Sequence, residues 1–314
     1  MDDLTHALAG ALIAQANPSK KKGLVLACVL GAVVPDLDAV LSLFNRSLYI
    51  QEHRGFTHSL WGILPVVLFA AWLAWLFVRK KIDGASFPAL TGMALAGDIS
   101  HMLLDWCTSW GTMLLWPNRT RFALDHLFII DIWYLLLLSL PLILCVRFRP
   151  KRVAISLIGL LFLLSYHGLT AYTHHQALRI AMEIQPEGEC IALPEPLSPF
   201  RWSIFSRQER KLKYAHLDFL KPSEVLSWQS WEEPRSTPEI IAAFQSPPIK
   251  NFMWFARVPM WEEEKRTDGS SVVKFWDGRF QATFGSLGKS NTHRFGASVV
   301  VRNGKVVNEQ AKSE

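Results

Sequence analysis

His53-Arg54-Gly55-Phe56-Thr57-His58-Ser59 stands directly before an apolar run, Leu60 to Val78, in a chain of 314 residues. That run is long enough to cross a bilayer, which takes about 20 apolar residues. The stretch before it crowds two imidazoles, a guanidinium and hydroxyls at the mouth of the span. Taken alone, such a loop is explained as an interfacial segment, with Arg54 at the headgroups and Thr57 or Ser59 capping the helix. Its reading as a site rests on other polar clusters that fall where they can join it.

Upstream, Leu24 to Phe44 reads as a span interrupted by Pro35-Asp36-Leu37-Asp38. Carboxylates at membrane depth are costly and mark a functional site or an internal pairing. The residue before a proline avoids helical geometry, so the helix is expected to break near Val34, with Asp36 and Asp38 on one side of an extended stretch. Further upstream, Ala14-Gln15-Ala16 superficially resembles a signal-peptidase site, but Asp2 and Asp3 at the amino end are the reverse of a secretory leader. As a retained helix, the segment aligns Asp2, His6, Gly10 and Ala14 on one face, the small residues allowing close packing.

Downstream, Phe87 to Trp106 carries Asp98, His101 and Asp105. Their spacing places all three on one helical stripe, with the His-x-x-x-Asp pair one turn apart. Asp125 and His126 lead into Leu127 to Val146, which holds Asp131, and the last span runs from Val153 to Tyr172. His167, His174 and His175 near its end read as interfacial or linker residues.

Half of the residues are hydrophobic, 19% are charged, and the net charge is +6. The balance is too apolar for an ordinary soluble domain and too charged for an all-membrane one. Ten of the 33 Lys and Arg form three short clusters, Lys20–Lys22, Arg79–Lys81 and Arg147–Arg152, each beside an apolar run. This is the positive-inside pattern, and it excludes a nucleic-acid groove. The four cysteines form no CxxC pair and imply neither a disulfide framework nor a zinc knuckle. With the basic clusters in the cytoplasm, every polar cluster lands at the opposite membrane face, and the tail lies outside, in the periplasm of a bacterial inner membrane.

The expected architecture is a polytopic α-helical membrane domain of about five to six spans followed by a small β-rich extramembrane domain. Residues 1–175 form the membrane domain carrying the site, 176–199 a proline-punctuated linker, and 200–314 the β-rich domain. In the tail, strands are expected at Arg201–Ser206, Lys211–Asp218, Val272–Trp276, Arg279–Phe284 and Ala297–Arg302, with short helices at Pro238–Gln245 and Ile249–Arg257.

Imidazole nitrogens with carboxylate oxygens and no thiolate suit a divalent metal: zinc first, with manganese or iron as alternatives. The candidate ligands are His6, Asp36, Asp38, His53, His58, His101 and Asp105, more than one tetrahedral ion requires, so two or more ions are expected. Clustered ions suit hydrolysis of phosphate esters. Arg54 is placed to clamp a phosphate, and Asp36 is the second residue assigned to catalysis. Asp2, Asp98, Asp125, His126 and Asp131 stand behind the ligands as orienting groups. The substrate expected at such a site is a membrane lipid or lipid-linked molecule.

Four motifs carry a resemblance: Asp-x-x-Thr-His at residues 2–6, Gly-x-x-x-Pro-Asp-x-Asp at 31–38, His-Arg-Gly-x-Thr-His-Ser at 53–59 and His-x-x-x-Asp at 101–105. In this order they resemble the YdjM-type family of bacterial membrane-bound metal-dependent hydrolases, over roughly residues 1–135. That family is considered distantly similar to zinc-dependent phospholipase C and S1/P1 nucleases. The resemblance implies phosphodiester hydrolysis at a multi-zinc site and leaves the substrate open. The rival classes are an ion- or proton-coupled transporter, whose ligands would line a path through the bilayer, and a membrane scaffold with a vestigial metal site.

Overall fold

The interrupted second run sets the frame. Leu24–Val33 is a helix (α2) that gives way, at the residue before Pro35, to a 3-10 helix over Val34–Leu43. The break falls where proline geometry dictates, but the following segment is a tight helix and not the expected extended stretch. The computed structural model describes residues 1–44, 46–221, 227–280 and 296–310. It divides into two units: Met1–Phe44, Glu52–His174 and Pro196–Pro199 in the first, and Asn45–Gln51, His175–Glu195 and Phe200–Glu314 in the second.

The first unit is helical. Besides α2 it uses α1 (Asp3–Ala16), α4 (Ile63–Val78), α5 (Phe87–Trp106), α6 (Ile132–Arg147) and the first part of α7 (Arg152–Ile184), while α3 (Arg46–Glu52) straddles the division. Alanine, cysteine and glycine dominate the contact of α2, α4 and α5, with Ala27, Cys28, Ala70, Ala71, Ala74 and Ala94 fully buried. Small side chains let helix backbones approach closely. At the tightest point, a Cβ on Gly97 would sit on the Cys28 carbonyl oxygen, and one on Gly31 would sit on the Ala94 carbonyl oxygen. Replacing Gly97 by alanine therefore forces α2 and α5 apart. The expected cost is about 1–3 kcal/mol, read as a lower melting temperature in detergent. A melting curve matching wild type would refute the close crossing.

The expected five to six spans are not supported. Among the described residues, two stretches are long and apolar enough to cross a membrane, Leu24–Leu43 and Arg149–Ile184. A third arises if Leu48–His58 and Ile63–Val78, bent by 80°, form one broken span. The reasons lie in length and composition. The 14 residues of α1 and the 16 of α6 reach only about 21–24 Å at 1.5 Å per residue, short of a ~30 Å hydrocarbon core. The 20-residue α5 spends three positions on Asp98, His101 and Asp105. Exposed Leu68, Phe69, Trp72 and Phe77 on α4, with Leu140 and Ile143 on α6 and Leu161, Phe162 and Leu164 on α7, nonetheless make an apolar surface that suits lipid.

Chain direction separates two ends of the first unit. The basic ends of α2, α4 and α5 meet where Lys22 pairs with Asp83 at 3.0 Å and the Lys22 and Asp83–Ala85 backbones hydrogen-bond. The Lys22 ammonium holds the Asp83 carboxyl below its usual value. At the same end, Arg152 donates to the carbonyls of Gln15, Asn17, Pro18 and Ser19 at 2.8–3.1 Å. The polar clusters lie at the other ends of the same helices.

The second unit holds two four-stranded antiparallel meanders, β1–β4 and β5–β8. The first comprises Glu189–Pro194, Arg201–Gln208, Lys211–Asp218 and Gln229–Glu232, the second Pro259–Lys265, Ser271–Asp277, Gly296–Arg302 and Lys305–Gln310. Helices α8 (Pro238–Gln245) and α9 (Pro247–Phe255) place Ile240, Ala243, Ile249 and Phe252 against Trp261, Val273, Phe275, Val299 and Val301 of the second sheet. Four expected strands and both helices are present. The strand expected at Arg279–Phe284 is not borne out at its start, where Arg279 and Phe280 are helical, and the part beyond residue 280 lies outside the described residues. Of the stretch expected as linker, α7 occupies the residues up to Ile184 and β1 occupies Glu189–Pro194.

Candidate metal centre

Proline-directed breakage of α2 swings Asp36 and Asp38 beside the loop that carries His53 and His58, and α5 supplies His101 and Asp105 from below. His6, one turn into α1, completes the group. His6, His58, His101 and Asp105 are fully buried, and His53 is nearly so. The Asp36 and Asp38 side chains keep 10% and 8% of their surface and form the rim.

The contacts are close. His58 Nε2 lies 3.3 Å from both Asp36 Oδ1 and Asp105 Oδ2 and 2.9 Å from His101 Nε2. His6 Nε2 is 3.2 Å from Asp105 Oδ1 and 3.9 Å from Asp36 Oδ2, with its ring stacked on His101 at 3.8 Å between centroids. His53 Nδ1 is 2.7 Å from Asp38 Oδ1. Two overlapping groups emerge, Asp36-His58-His101-Asp105 and Asp36-Asp38-His53. In each, one ligand atom per residue lies within 4.8 Å of all the others. Asp36 belongs to both, as a shared carboxylate between two ions would.

Proton accounting tests whether a cation fits. His101 Nδ1 is 2.8 Å from the Ala32 carbonyl oxygen, which can only accept, so Nδ1 carries the proton and Nε2 presents a lone pair. The single Thr57 hydroxyl proton goes to Asp38 Oδ2 at 2.7 Å, so Thr57 accepts from His58 Nδ1 at 2.9 Å. His58 Nε2 is then a lone pair when the ring is neutral, and a donor toward His101 Nε2, Asp36 and Asp105 when it is charged. With His58 neutral, two imidazole lone pairs face each other beside Asp36 Oδ1, which accepts no hydrogen bond among the described residues, and Asp105 Oδ2, which is ion-paired to Arg54. Such a convergence of acceptors is repulsive without positive charge, and a divalent ion satisfies it. Two positive groups already touch Asp105: the Met1 amino group, at Oδ1 and 3.0 Å from His6 Nε2, and the Arg54 guanidinium, at Oδ2.

Arg54 is buried, with Nε 2.8 Å from Asp105 Oδ2 and Nη1 donating to Thr108 Oγ1 at 3.0 Å. Its backbone φ of 60° lies in the left-handed region that favours glycine, and its N–H donates to Asp38 Oδ2 at 3.0 Å. Backbone strain of this kind concentrates at sites that must hold a shape. In this structure the guanidinium expected to clamp phosphate is engaged with a carboxylate of the centre.

The residues expected behind the ligands divide. Asp2 caps α1 through Thr5. Asp98 is buried on the His101 stripe, and neither of its oxygens has a hydrogen-bond partner among the described residues. Asp125 is buried with a left-handed backbone, φ 56°. Asp131 caps α6 and accepts from Tyr166 Oη at 2.8 Å. His126 contacts His167 at 3.1 Å, a residue read from the sequence as interfacial or linker near the end of the last span. The sequence did not reveal the Met1 amine, Thr108 or the Ala32 carbonyl. Thr57 was visible only as a candidate cap, and Ser59 makes the local turn by donating to the Phe56 carbonyl at 2.7 Å.

Comparison with known proteins places this geometry among relatives. A profile of the family described as YdjM inner membrane protein matches residues 1–177, more than half of the chain. The Escherichia coli (strain K12) inner membrane protein YdjM is 36% identical over 114 residues, 33% of this chain and 54% of that protein. The Bacillus subtilis (strain 168) protein YfhP, described as uncharacterized, is 28% identical over 156 residues, 43% of this chain and 46% of its own length. The chain thus spans about half the length of the curated relatives it matches. No solved structure matches it.

Proposed function

The chain belongs to the family of YdjM inner membrane proteins, and we propose that it is a metal-dependent hydrolase of phosphoesters whose substrate is a membrane lipid or lipid-linked molecule. The observation that carries the reading is the buried convergence of His58 Nε2 and His101 Nε2 with carboxylate oxygens of Asp36 and Asp105. His6, Asp36, Asp38, His53, His58, His101 and Asp105 would hold two or more divalent ions, zinc first and manganese or iron next. When bound, such ions supply Lewis acidity toward a phosphoryl oxygen and lower the pKa of water.

The chain's own residues prepare the site. Thr57 and the Ala32 carbonyl fix the His58 and His101 tautomers, so that Nε2 points inward on both rings. Arg54 holds Asp105. The burial of His6, His101 and Asp105 keeps bulk water away from the floor of the site. Exposed Leu37, Val40, Leu43 and Phe44 follow the Asp36 rim, and Phe56, Leu60 and Trp61 flank His58. This apolar collar around a polar centre favours a lipid-borne ester over a free one. A multi-pass arrangement with the site and the tail at the periplasmic face follows from the basic ends of the helices.

The test is release of phosphorylated headgroups from a mixed-lipid extract by the detergent-purified full chain, wild type beside Asp36→Asn, with metal content measured on the same samples. Bound zinc or manganese with turnover that Asp36→Asn lowers at least about 100-fold supports the reading. Bound metal without any turnover difference sinks the hydrolase and advances the transporter.

A further inference from the structure

Three ligand-type side chains meet in the first unit outside the Asp/His centre. Cys107 caps the end of α5, His126 lies in the loop between α5 and α6, and His167 lies within α7. One atom from each lies within 4.8 Å of the others. None was assigned as a ligand from the sequence, because the residues are separated along the chain and show no metal-ligand spacing.

The geometry points to a second metal site, a zinc-class ion held by Cys107 Sγ, His126 Nε2 and His167 Nδ1. His126 Nε2 and His167 Nδ1 face each other at 3.1 Å. Two nitrogens bound to one tetrahedral zinc at 2.0–2.1 Å stand about 3.3 Å apart. The outward nitrogen of His167 is held: its Nε2 lies 3.1 Å from the Tyr134 hydroxyl. Ligating histidines are oriented by such outer bonds. The Cys107 thiol makes no hydrogen bond among the described residues, and Cys107 and His126 are each only 8% exposed. Tyr134 is anchored in turn, its N–H donating to Asp131 at 3.0 Å, while Asp131 also accepts from Tyr166.

The donor set differs in kind from the first centre. One soft thiolate with two imidazoles selects zinc or cobalt over manganese and magnesium, whereas the Asp/His centre offers only nitrogen and hard oxygen. Three protein ligands leave the fourth tetrahedral position open. The ion would tie the end of α5, the loop and α7 together, so its binding free energy adds to folding stability. Without an ion, the same residues can form a hydrogen-bonded chain from Tyr134 through His167 to His126, and this is the arrangement the experiment must separate.

The thiolate gives the separating signal. Cobalt(II) titrated into the metal-free, detergent-purified full chain is expected to develop a thiolate-to-cobalt charge-transfer band that includes one ion per chain. The band is expected to persist in His58→Ala, which alters only the first centre, and to vanish in Cys107→Ser and His167→Gln. Circular dichroism of both variants in metal-free buffer checks their folding. Tyr134→Phe is expected to keep the band with cobalt affinity about 10-fold weaker, the usual effect of losing an orienting partner. No band in wild type at excess cobalt overturns the site and leaves the hydrogen-bonded chain. A band that survives Cys107→Ser overturns it as well, by assigning the thiolate to Cys28, Cys145 or Cys190. Neither result bears on the hydrolase, whose failure would show in lipid turnover.

Discussion

His58→Ala is expected to strip the Asp/His centre of metal and to remove phosphoester turnover with it. His58 is the hinge of the site: its Nε2 meets Asp36, Asp105 and His101, and its Nδ1 side meets Thr57 and Asp38. It belongs to one ligand group and touches the other through Asp38, 3.5 Å away. Losing an orienting partner alone costs about 10–100-fold in metal affinity, and His58 is both ligand candidate and organiser, so the expected loss is at least about 100-fold. Mass-spectrometric metal content and headgroup release on the same preparation measure it, with exposed His175→Ala as the control expected to match wild type. Metal content unchanged in His58→Ala would remove the Asp/His cluster as the metal centre.

Arg54→Met is expected to be the most destabilising single substitution at the site in the metal-free protein. The change keeps the stem but leaves Asp105 buried without its guanidinium. Removing one partner of a buried ion pair costs about 3–5 kcal/mol, because the remaining charge is left uncompensated. For a chain of this size, that corresponds to a fall in melting temperature on the order of 10 °C. Arg54→Lys is expected to recover only part of it, since an ammonium cannot serve Asp105 and Thr108 together in the planar geometry of the guanidinium. Adding zinc is expected to narrow the gap between Arg54→Met and wild type, because a bound cation takes over neutralisation of Asp105. Equal melting temperatures for wild type and Arg54→Met in chelator would show that the pair contributes nothing to stability. A gap that zinc leaves untouched would separate the guanidinium from the metal centre.

The two variants also distinguish assembling a site from filling one. His58→Ala removes donors and is expected to act on metal and turnover. Arg54→Met acts first on the fold, and its effect on turnover follows from how far Asp105 shifts. A lower kcat at unchanged metal content in Arg54→Met would restore the phosphate-clamping role that the sequence suggested for this residue.

Much of the site was legible because its signals are local or periodic. Asp98, His101 and Asp105 declare a stripe by their spacing, Pro35 announces the end of α2, and charged residues inside apolar runs are rare enough to stand out. The seven ligand candidates do gather, since basic clusters at one end of successive helices require the polar clusters to share the other. In the tail, β-type runs and turn residues located β2, β3, β6, β7 and both helices, with Asn303-Gly304 at the β7–β8 turn.

Only the tertiary structure decided the rest. Apolar content alone overcounted the spans, because α1 and α6 are apolar but too short, and α5 too polar, to count as spans. The Ala32 carbonyl that fixes His101 and the Thr108 hydroxyl that holds Arg54 have no sequence signature, since any residue has a carbonyl and threonines are common. The engagement of Arg54 with Asp105, 51 positions away, depends on a left-handed backbone at Arg54 and on the close crossing that Gly31 and Gly97 permit. Cys107, His126 and His167 come from three separate segments and meet through helix packing alone. The sequence by itself determined which chemistry this chain carries and at which helix ends, because residue type and periodicity are written locally. Which of those groups touch depends on helix crossings and loop geometry, and these are fixed by contacts between residues far apart in the chain.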